Sequence, residues 1–174
     1  SAGMRIESLS IVPMLAMGNA MSTFTAQNMG AGKIDRVKEG YRMCYVIVLT
    51  AGAVLCVMYQ LAGGAFVSLF LDSGSSEAYS VGLSYVKFLS FFYSFIGLKA
   101  STDGLLRGAG DVTAFTVANL VNLAIRVSVT NLFAPIYGIQ VAWMAVPLGW
   151  AANYVISFGW YLTGKWKKVR VIKK

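Results

Sequence analysis

Three stretches of this chain, residues 8–32, 43–71 and 127–164, carry no charged side chain at all. A soluble helix or strand does not need an uncharged run of that length, whereas about 20 apolar residues cross a bilayer as a helix. The composition agrees, since 57% of the residues are hydrophobic and only 13% are charged. The runs lack the alternation of apolar and polar residues that is typical of an outer-membrane barrel. We therefore predict an all-α integral membrane protein.

Five transmembrane helices account for the apolar segments. We place them at roughly 6–29, 43–71, 84–106, 113–133 and 138–162, in a single membrane domain, followed by a basic tail over 163–174. A secretory signal peptide would be one short apolar segment near the start, so that interpretation is excluded. The second window is longer than a span needs, and we expect an interfacial turn in it at Gly63 and Gly64.

Lysine and arginine occupy every second connection between these spans. The connections 72–80 and 134–137 contain neither residue, whereas the other connections and the tail contain Lys33, Arg36, Lys38 and Arg42, then Arg107, and finally Lys165, Lys167, Lys168, Arg170, Lys173 and Lys174. The positive-inside rule then predicts that the basic segments and the C-terminus are cytoplasmic and that the N-terminal end of this chain is outside. We expect a multi-pass protein of the plasma membrane.

The net charge of +8 is therefore mostly a signature of topology. A nucleic-acid surface needs its basic residues on one folded face, and here they are divided among short loops and a tail. Attraction to anionic lipid headgroups explains the tail more simply. We expect the lipid bilayer as a partner and no nucleic acid.

Residues for enzymatic chemistry are scarce. The chain has no histidine, no cysteine pair at metal-ligand spacing and no phosphate-binding loop, and its few carboxylates lie mostly in loops or at the ends of spans. Cys44 and Cys56 would lie about 18 Å apart along one helix, too far for a disulfide with each other. We predict no enzyme, no catalytic residues, no metal site and no cofactor.

Two stripes run along the first span. Gly18, Ser22, Ala26 and Gly30 recur every four residues, and a ridge of small side chains lets another helix approach closely. Beside it a polar stripe has the same spacing and consists of Asn19, Thr23 and Gln27. That stripe either forms hydrogen bonds between helices of a packed bundle or lines a polar cavity.

The later spans contain charged candidates. Lys99 and Asp103 are spaced to pair across one helical turn, with the alternative of a partly hydrated charge ladder that continues to Arg107 and Asp111. In the fourth span one face carries Asn119, Asn122 and Arg126. An arginine near a span end can snorkel to headgroups, but two asparagines cannot, so this face is expected to point into the protein or a wet cavity.

Two loop sequences carry a resemblance to a known family. The first span ends in AQNMGAGK at 26–33, before a basic loop, and a second motif, LRGAGD at 106–111, contains Arg107, Gly108, Gly110 and Asp111. With Arg126 and the later Pro135, Gly138, Trp143 and Pro147, these segments resemble, in order and spacing, helices eight to twelve of the multidrug and toxic compound extrusion (MATE) transporters.

The resemblance implies a secondary antiporter with two six-helix lobes, which exports organic cations or other amphipathic compounds in exchange for Na⁺ or H⁺ by alternating access. This chain would form most of the C-terminal lobe, with the N-terminal lobe and the seventh helix of the same protein as missing partners. The cavity candidates are Asn19, Thr23, Gln27, Lys99, Asp103, Asn119, Asn122 and Arg126. One departure is Ile96, which stands where some Na⁺-coupled members carry an acidic residue.

Other functions stay open. A related exporter or flippase of lipid-linked or anionic solutes is favoured by Lys99 and Arg126. A small structural membrane protein, complete at five helices, and a membrane enzyme are further alternatives. An odd number of spans and a start close to a span indicate a piece of a longer protein.

Overall fold

A computed structural model describes residues 2–70 and 76–168. Over these ranges the chain is helical and contains no strand. The described residues form six α-helices: α1 (Ala2–Gly30), α2 (Ile34–Ser68), α3 (Ser76–Ser90), α4 (Tyr93–Gly108), α5 (Val112–Tyr137) and α6 (Ile139–Thr163). A 3₁₀ turn, Lys165–Lys168, follows α6. The prediction of an all-α protein is confirmed. Of the basic tail, Arg170, Lys173 and Lys174 lie outside the described residues.

Four helices, α1, α2, α5 and α6, are long and apolar enough to cross a membrane, and α3 and α4 together pass the same test as a bent pair. Their outward surfaces carry large apolar side chains such as Leu9, Leu61 and Leu132, each more than 60% exposed. Such surfaces suit a lipid environment. Two helix ends differ from the predicted windows, because α2 begins at Ile34 within the basic connection and α5 continues through Pro135 to Tyr137.

The prediction of an interfacial turn at Gly63 and Gly64 was wrong, because α2 is helical through both residues. The two glycines instead allow α3 to pack closely against α2. A Cβ on Gly63 would lie 3.2 Å from a methyl group of Leu83, and the carbonyl of Gly64 accepts a hydrogen bond of 3.1 Å from Tyr79.

The third predicted window, 84–106, was wrong as a single helix. It is divided between α3 and α4, which meet at 52° with a turn at Phe91 and Phe92. The carbonyl oxygen of Lys87, which a continuous helix would offer to the amide of residue 91, accepts hydrogen bonds from Gln60 of α2 at 3.0 Å and from Ser90 at 2.7 Å. Side chains that take over a helical carbonyl are a known cause of kinks.

Helix α4 lies at the centre of the bundle, and every residue from 100 to 106 is buried. It is parallel to α1, since Gly104 packs on Gly18 and Gly108 packs on Ser22. It is antiparallel to α2, where Tyr41 contacts Thr102 and Cys44 contacts Ser101. These directions gather the α1–α2 connection, the end of α4 and the residues after α6 at one end of the bundle, which we call the basic end.

The contact between α1 and α4 brings backbone against backbone. A Cβ on Gly18 would lie 2.6 Å from the carbonyl oxygen of Ala100, and a Cβ on Gly104 would overlap the carbonyl of Gly18. The small-residue ridge predicted on α1 therefore supports a close helix contact at Gly18 and Ser22. It does not do so at Gly30, where a Cβ would meet nothing within 4 Å.

Candidate functional site

A buried ion pair lies within α4. The ammonium of Lys99 is 2.8 Å from Oδ2 of Asp103, and the two side chains are only 13% and 6% exposed. The pairing expected from the four-residue spacing is confirmed. Both side chains point toward α5 and α6, so the pair is held between three helices and is not a ladder along the surface of one.

Amide and hydroxyl groups from α5 and α6 complete the cluster. Asn119 accepts a hydrogen bond of 3.1 Å from Lys99 and donates one of 3.3 Å to Asp103. Ser157 donates to Oδ1 of Asp103 at 2.6 Å, and Asn153 lies 3.4 Å from the Ser157 hydroxyl. We call these five residues the polar cluster. Charge-assisted bonds of this kind compensate a carboxylate for the loss of water.

One polar group of the cluster remains without a partner. Asn153 is fully buried, and its Nδ2 atom makes no hydrogen bond within the described chain. Ser157 has a single hydroxyl proton, which the Asp103 carboxylate requires, so Asn153 can bond to Ser157 only through its amide nitrogen. If the amide is turned in this way, its oxygen becomes the unpaired atom, because one amide group cannot present both atoms to the same hydroxyl.

The polar cluster lies inside the membrane-spanning part of the bundle. Asn119 is seven residues from the start of α5, and Ser157 is six residues from the end of α6. At 1.5 Å per residue both lie roughly 10 Å from the basic end. Ser157 and Asn153 were not among the predicted site residues. Their four-residue spacing in an otherwise apolar span is the same signal that identified Lys99 and Asp103, and it could have identified them.

Next to the polar cluster lies a group of tyrosines that sequence reasoning also missed. The hydroxyl of Thr102 is 2.6 Å from that of Tyr41 and 2.9 Å from that of Tyr45, and Tyr45 donates to Tyr154 at 3.2 Å. The ring centroids of Tyr41 and Tyr161 are 4.6 Å apart. The spacing of four between Tyr41 and Tyr45 was visible in the sequence, but nothing indicated that α6 would supply further rings.

The predicted loop motif forms a joint between helices and does not join the polar cluster. Arg107 is exposed and donates a hydrogen bond of 2.8 Å to Asn19 of α1, and its guanidinium lies 5.7 Å from the ring centre of Phe115. Asp111 caps α5 by accepting from the amide of residue 114, and it accepts a second bond of 2.6 Å from the indole of Trp160.

The glycines of the motif have separate structural roles. Gly110 has a φ of +84°, which favours glycine, and a Cβ on Gly108 would overlap the carbonyl of Ser22. The alternative of a charge ladder over Lys99, Asp103, Arg107 and Asp111 does not hold, because the last two side chains turn away to other partners.

The other predicted residues are placed apart from the polar cluster. Thr23 and Gln27 are exposed on α1, in line with Asn19. Asn122 and Arg126 pack over Gly149 of α6, where a Cβ would lie 2.9 Å from Cγ of Arg126. The side-chain oxygen of Asn122 is buried and has no hydrogen-bond partner within the described residues, whereas Arg126 is exposed. Within the part of the chain that the structure describes, no three His, Cys, Asp or Glu side chains come together as a metal site.

Comparison with known proteins gives one consistent family. The chain is 28% identical over 168 residues to the probable multidrug resistance protein YpnP of Bacillus subtilis, a match that covers 96% of this chain and 37% of that protein. It is 21% identical to the probable multidrug resistance protein NorM of Thermotoga maritima, over 99% of this chain and 37% of the relative. The chain thus spans a little over a third of the length of these relatives.

A solved structure shares the fold. It is described as the inward-facing conformation of a multidrug resistance MATE family transporter of the MOP superfamily, and it matches 95% of this chain and 36% of its own with a TM-score of 0.76 at 18% identity. The MatE family model matches residues 1–146. Members of this family are transporters, in agreement with the prediction that the chain is not an enzyme. Because that match covers residues 1–146, this multi-pass membrane chain belongs to the MatE family.

Proposed function

We propose that this chain forms most of the C-terminal lobe of a secondary antiporter that exports organic cations or other drugs in exchange for Na⁺ or H⁺. The observation that carries the proposal is a match over nearly the whole chain to proteins named for multidrug resistance, of which it spans little more than a third. The rest of such a protein supplies the N-terminal lobe and the seventh helix.

Alternating access explains how a lobe of this kind works. The two lobes rock about a shared central cavity, and substrate and coupling ion compete for it. The exposed polar stripe of α1 would form part of a hydrated wall in that cavity, with Thr23 and Gln27 free to orient an amphipathic cation. The bilayer and the small amphipathic substrate are the other expected partners.

The orientation follows from the basic end. We infer that it faces the cytoplasm of a cell whose plasma membrane contains the protein, so that the C-terminus is inside and the N-terminal end of this chain is outside. Reporter fusions after Thr163 and within 72–80 of the full-length protein test this topology. A cytoplasmic signal from the second fusion point would contradict it.

The geometry weakens the rival function of moving anionic solutes. Lys99, one of the two cations that favoured such a substrate, is already neutralised by Asp103 at 2.8 Å. Arg126 is exposed and remains the candidate for contact with an anion. A positive charge at Arg126 does not help a cation to bind.

Drug efflux from intact cells tests the proposed function. The full-length protein is expressed in bacteria that lack their own efflux pumps, and intracellular ethidium is followed by fluorescence with and without Na⁺ or a proton gradient. We expect lower accumulation with the protein, a weaker effect for Gln27→Ala, and an unchanged effect for Thr50→Ala. Thr50 is the matched control, since it is exposed on α2 and bonds only to its own helix in the described chain, at the carbonyl of Val46. Unchanged ethidium with normal expression would refute drug export.

Two further variants sharpen the result. Arg126→Ala that leaves efflux unchanged at normal expression removes Arg126 from the functional residues. The present chain, inserted alone in a membrane, is expected to show no ion-dependent efflux, because a cavity between lobes needs both of them. Coupled efflux from this chain alone would contradict the two-lobe arrangement.

A further inference from the structure

The polar cluster contains the ligands that a hard monovalent cation would use. Asp103 offers a carboxylate, Asn119 and Asn153 offer amide oxygens, and Ser157 offers a hydroxyl, all on three adjoining helices. Oxygen atoms of these kinds are the ligands that hard cations select in proteins. Among the described residues, the groups that hydrogen-bond to Asp103 include no cysteine and no histidine.

The position that such a cation would occupy is filled by Lys99. Its ammonium lies 2.8 Å from Asp103 and 3.1 Å from the amide oxygen of Asn119. An ammonium group is a compact cation with three donors and no acceptor, so it meets the same carboxylate and amide oxygens as a free cation would. Repulsion between two cations prevents a second one from binding next to it.

The amide of Asn153 is a separate indication of a cation site, because it adds a ligand to the two oxygen atoms that Lys99 contacts. Buried polar groups in proteins are nearly always paired, and Asn153 is fully buried with one amide atom free. With its nitrogen donating to Ser157, the atom that has no partner within the described chain is the amide oxygen, a ligand type that hard cations accept. The ammonium of Lys99 contacts two oxygen atoms, one of Asp103 and one of Asn119. A mobile ion is not attached to α4 and can also coordinate the oxygen atoms of Asn153 and Ser157.

We propose that Lys99 is a built-in cation, held on Asp103 in place of a mobile coupling ion, so that this lobe does not bind Na⁺ at the polar cluster. The proposal rests on the proposed transport function only in its consequence, which is that the coupling ion of the transporter binds somewhere other than the polar cluster. The occupancy itself is a property of the fold. Lys99 is thus the residue that keeps a mobile cation out of this site.

Removal of Lys99 should convert the polar cluster into a Na⁺ site. In Lys99→Ala the buried Asp103 carboxylate keeps its hydrogen bonds from Ser157 and Asn119 but loses its counter-ion, and Na⁺ can take the vacated place. The full-length protein is purified in detergent in NaCl and exchanged into NaCl or choline chloride of equal ionic strength, and the Tm is measured in each. We expect Lys99→Ala to gain roughly 5 °C from saturating NaCl beyond any gain of the wild type.

The control removes the charge that attracts the ion. In the double variant Lys99→Ala/Asp103→Asn the extra Na⁺ response should disappear, since a neutral amide replaces the carboxylate. Lys99→Gln is a second single variant that keeps a donor for Asp103, and it should show a smaller but measurable response. Subtraction of the wild-type response removes contributions from ion sites elsewhere in the transporter.

Three outcomes would overturn the proposal. The first is a Tm of both single variants that responds to NaCl no more than that of the wild type. The second is a wild-type response to NaCl that is abolished by Asp103→Asn. The third is a Lys99→Ala protein that cannot be purified in folded form in NaCl, although the double variant can. Na⁺ would then have failed to replace the ammonium group beside Asp103. The ethidium assay is separate. A wild-type protein that does not lower ethidium accumulation, together with an extra Na⁺ response of Lys99→Ala, contradicts the proposed function and leaves this inference standing.

Discussion

Replacement of Gly104 by alanine tests how closely α1 and α4 pack. A Cβ at this position would lie 2.9 Å from the carbonyl carbon and 3.2 Å from the Cα of Gly18, and closer still to the Gly18 oxygen. All three atoms belong to the backbone of α1, so no side chain can rotate away to relieve the overlap. The two helices must therefore separate, or α4 must rotate.

The expected cost follows from two opposing effects. An added methyl group in a well-packed contact costs roughly 1–3 kcal/mol, and alanine regains up to about 1 kcal/mol of helix propensity over glycine. We expect Gly104→Ala to lower the free energy of unfolding by about 1–2 kcal/mol. Gly159→Ala is the matched control, because Gly159 is inside α6 and a Cβ there meets nothing within 4 Å. That variant should be neutral or up to about 1 kcal/mol more stable.

Thermal unfolding of the full-length protein in detergent, with each variant beside the wild type, measures the difference. The two alanine variants should move the Tm in opposite directions, or Gly104→Ala should lower it while Gly159→Ala leaves it unchanged. Equal shifts for both variants would refute the argument, since they would mean that the contact with Gly18 does not limit the approach of the helices.

Two other substitutions test the joints described above. Asp111→Ala removes both the cap of α5 and the acceptor of the Trp160 indole, and it should lower the free energy of unfolding by about 1–2 kcal/mol. Asp111→Asn keeps a side-chain oxygen and should be closer to the wild type. Equal losses for both variants would contradict a capping role. Ser157→Ala removes the 2.6 Å hydrogen bond to Asp103 and should lower the free energy of unfolding by roughly 1.5–3 kcal/mol, whereas Ser157→Thr keeps the hydroxyl and most of the stability. Thermal unfolding measures both variants. A loss of stability in the threonine variant alone would mean that packing, and not the hydrogen bond, matters at this position.

The sequence predicted well what depends on neighbours along one helix. The pairing of Lys99 with Asp103 could be expected because both belong to one turn of one element, where rise and rotation are constant. The same rule was insufficient for Arg107 and Asp111. Their spacing continues that of the pair, but the helix ends at Gly108, and their side chains turn to α1 and to α6.

The break at Phe91 and Phe92 had no comparable signal. No proline or glycine lies within four residues of the break, and residues 88–96 are aromatic or aliphatic apart from Ser90 and Ser94. Besides the local bond from Ser90, the Lys87 carbonyl accepts a hydrogen bond from Gln60 of a different helix. A break produced by a contact 27 residues away along the chain depends on how α2 and α3 pack, and hydropathy does not contain that information.

The amino-acid sequence alone determined that this protein is a membrane-embedded helical bundle whose basic connections alternate with uncharged ones. Hydrophobicity and charge act locally, and the cost of burying a backbone polar group in lipid leaves the helix as the solution for each apolar run. Only the tertiary structure decided which polar side chains meet. The rotation of α5 and α6 about their axes brings Asn119 and Ser157 to Asp103, and Asn153 to Ser157. That rotation is set by contacts between residues distant in sequence, such as those of Gly149 with Asn122 and of Trp160 with Asp111.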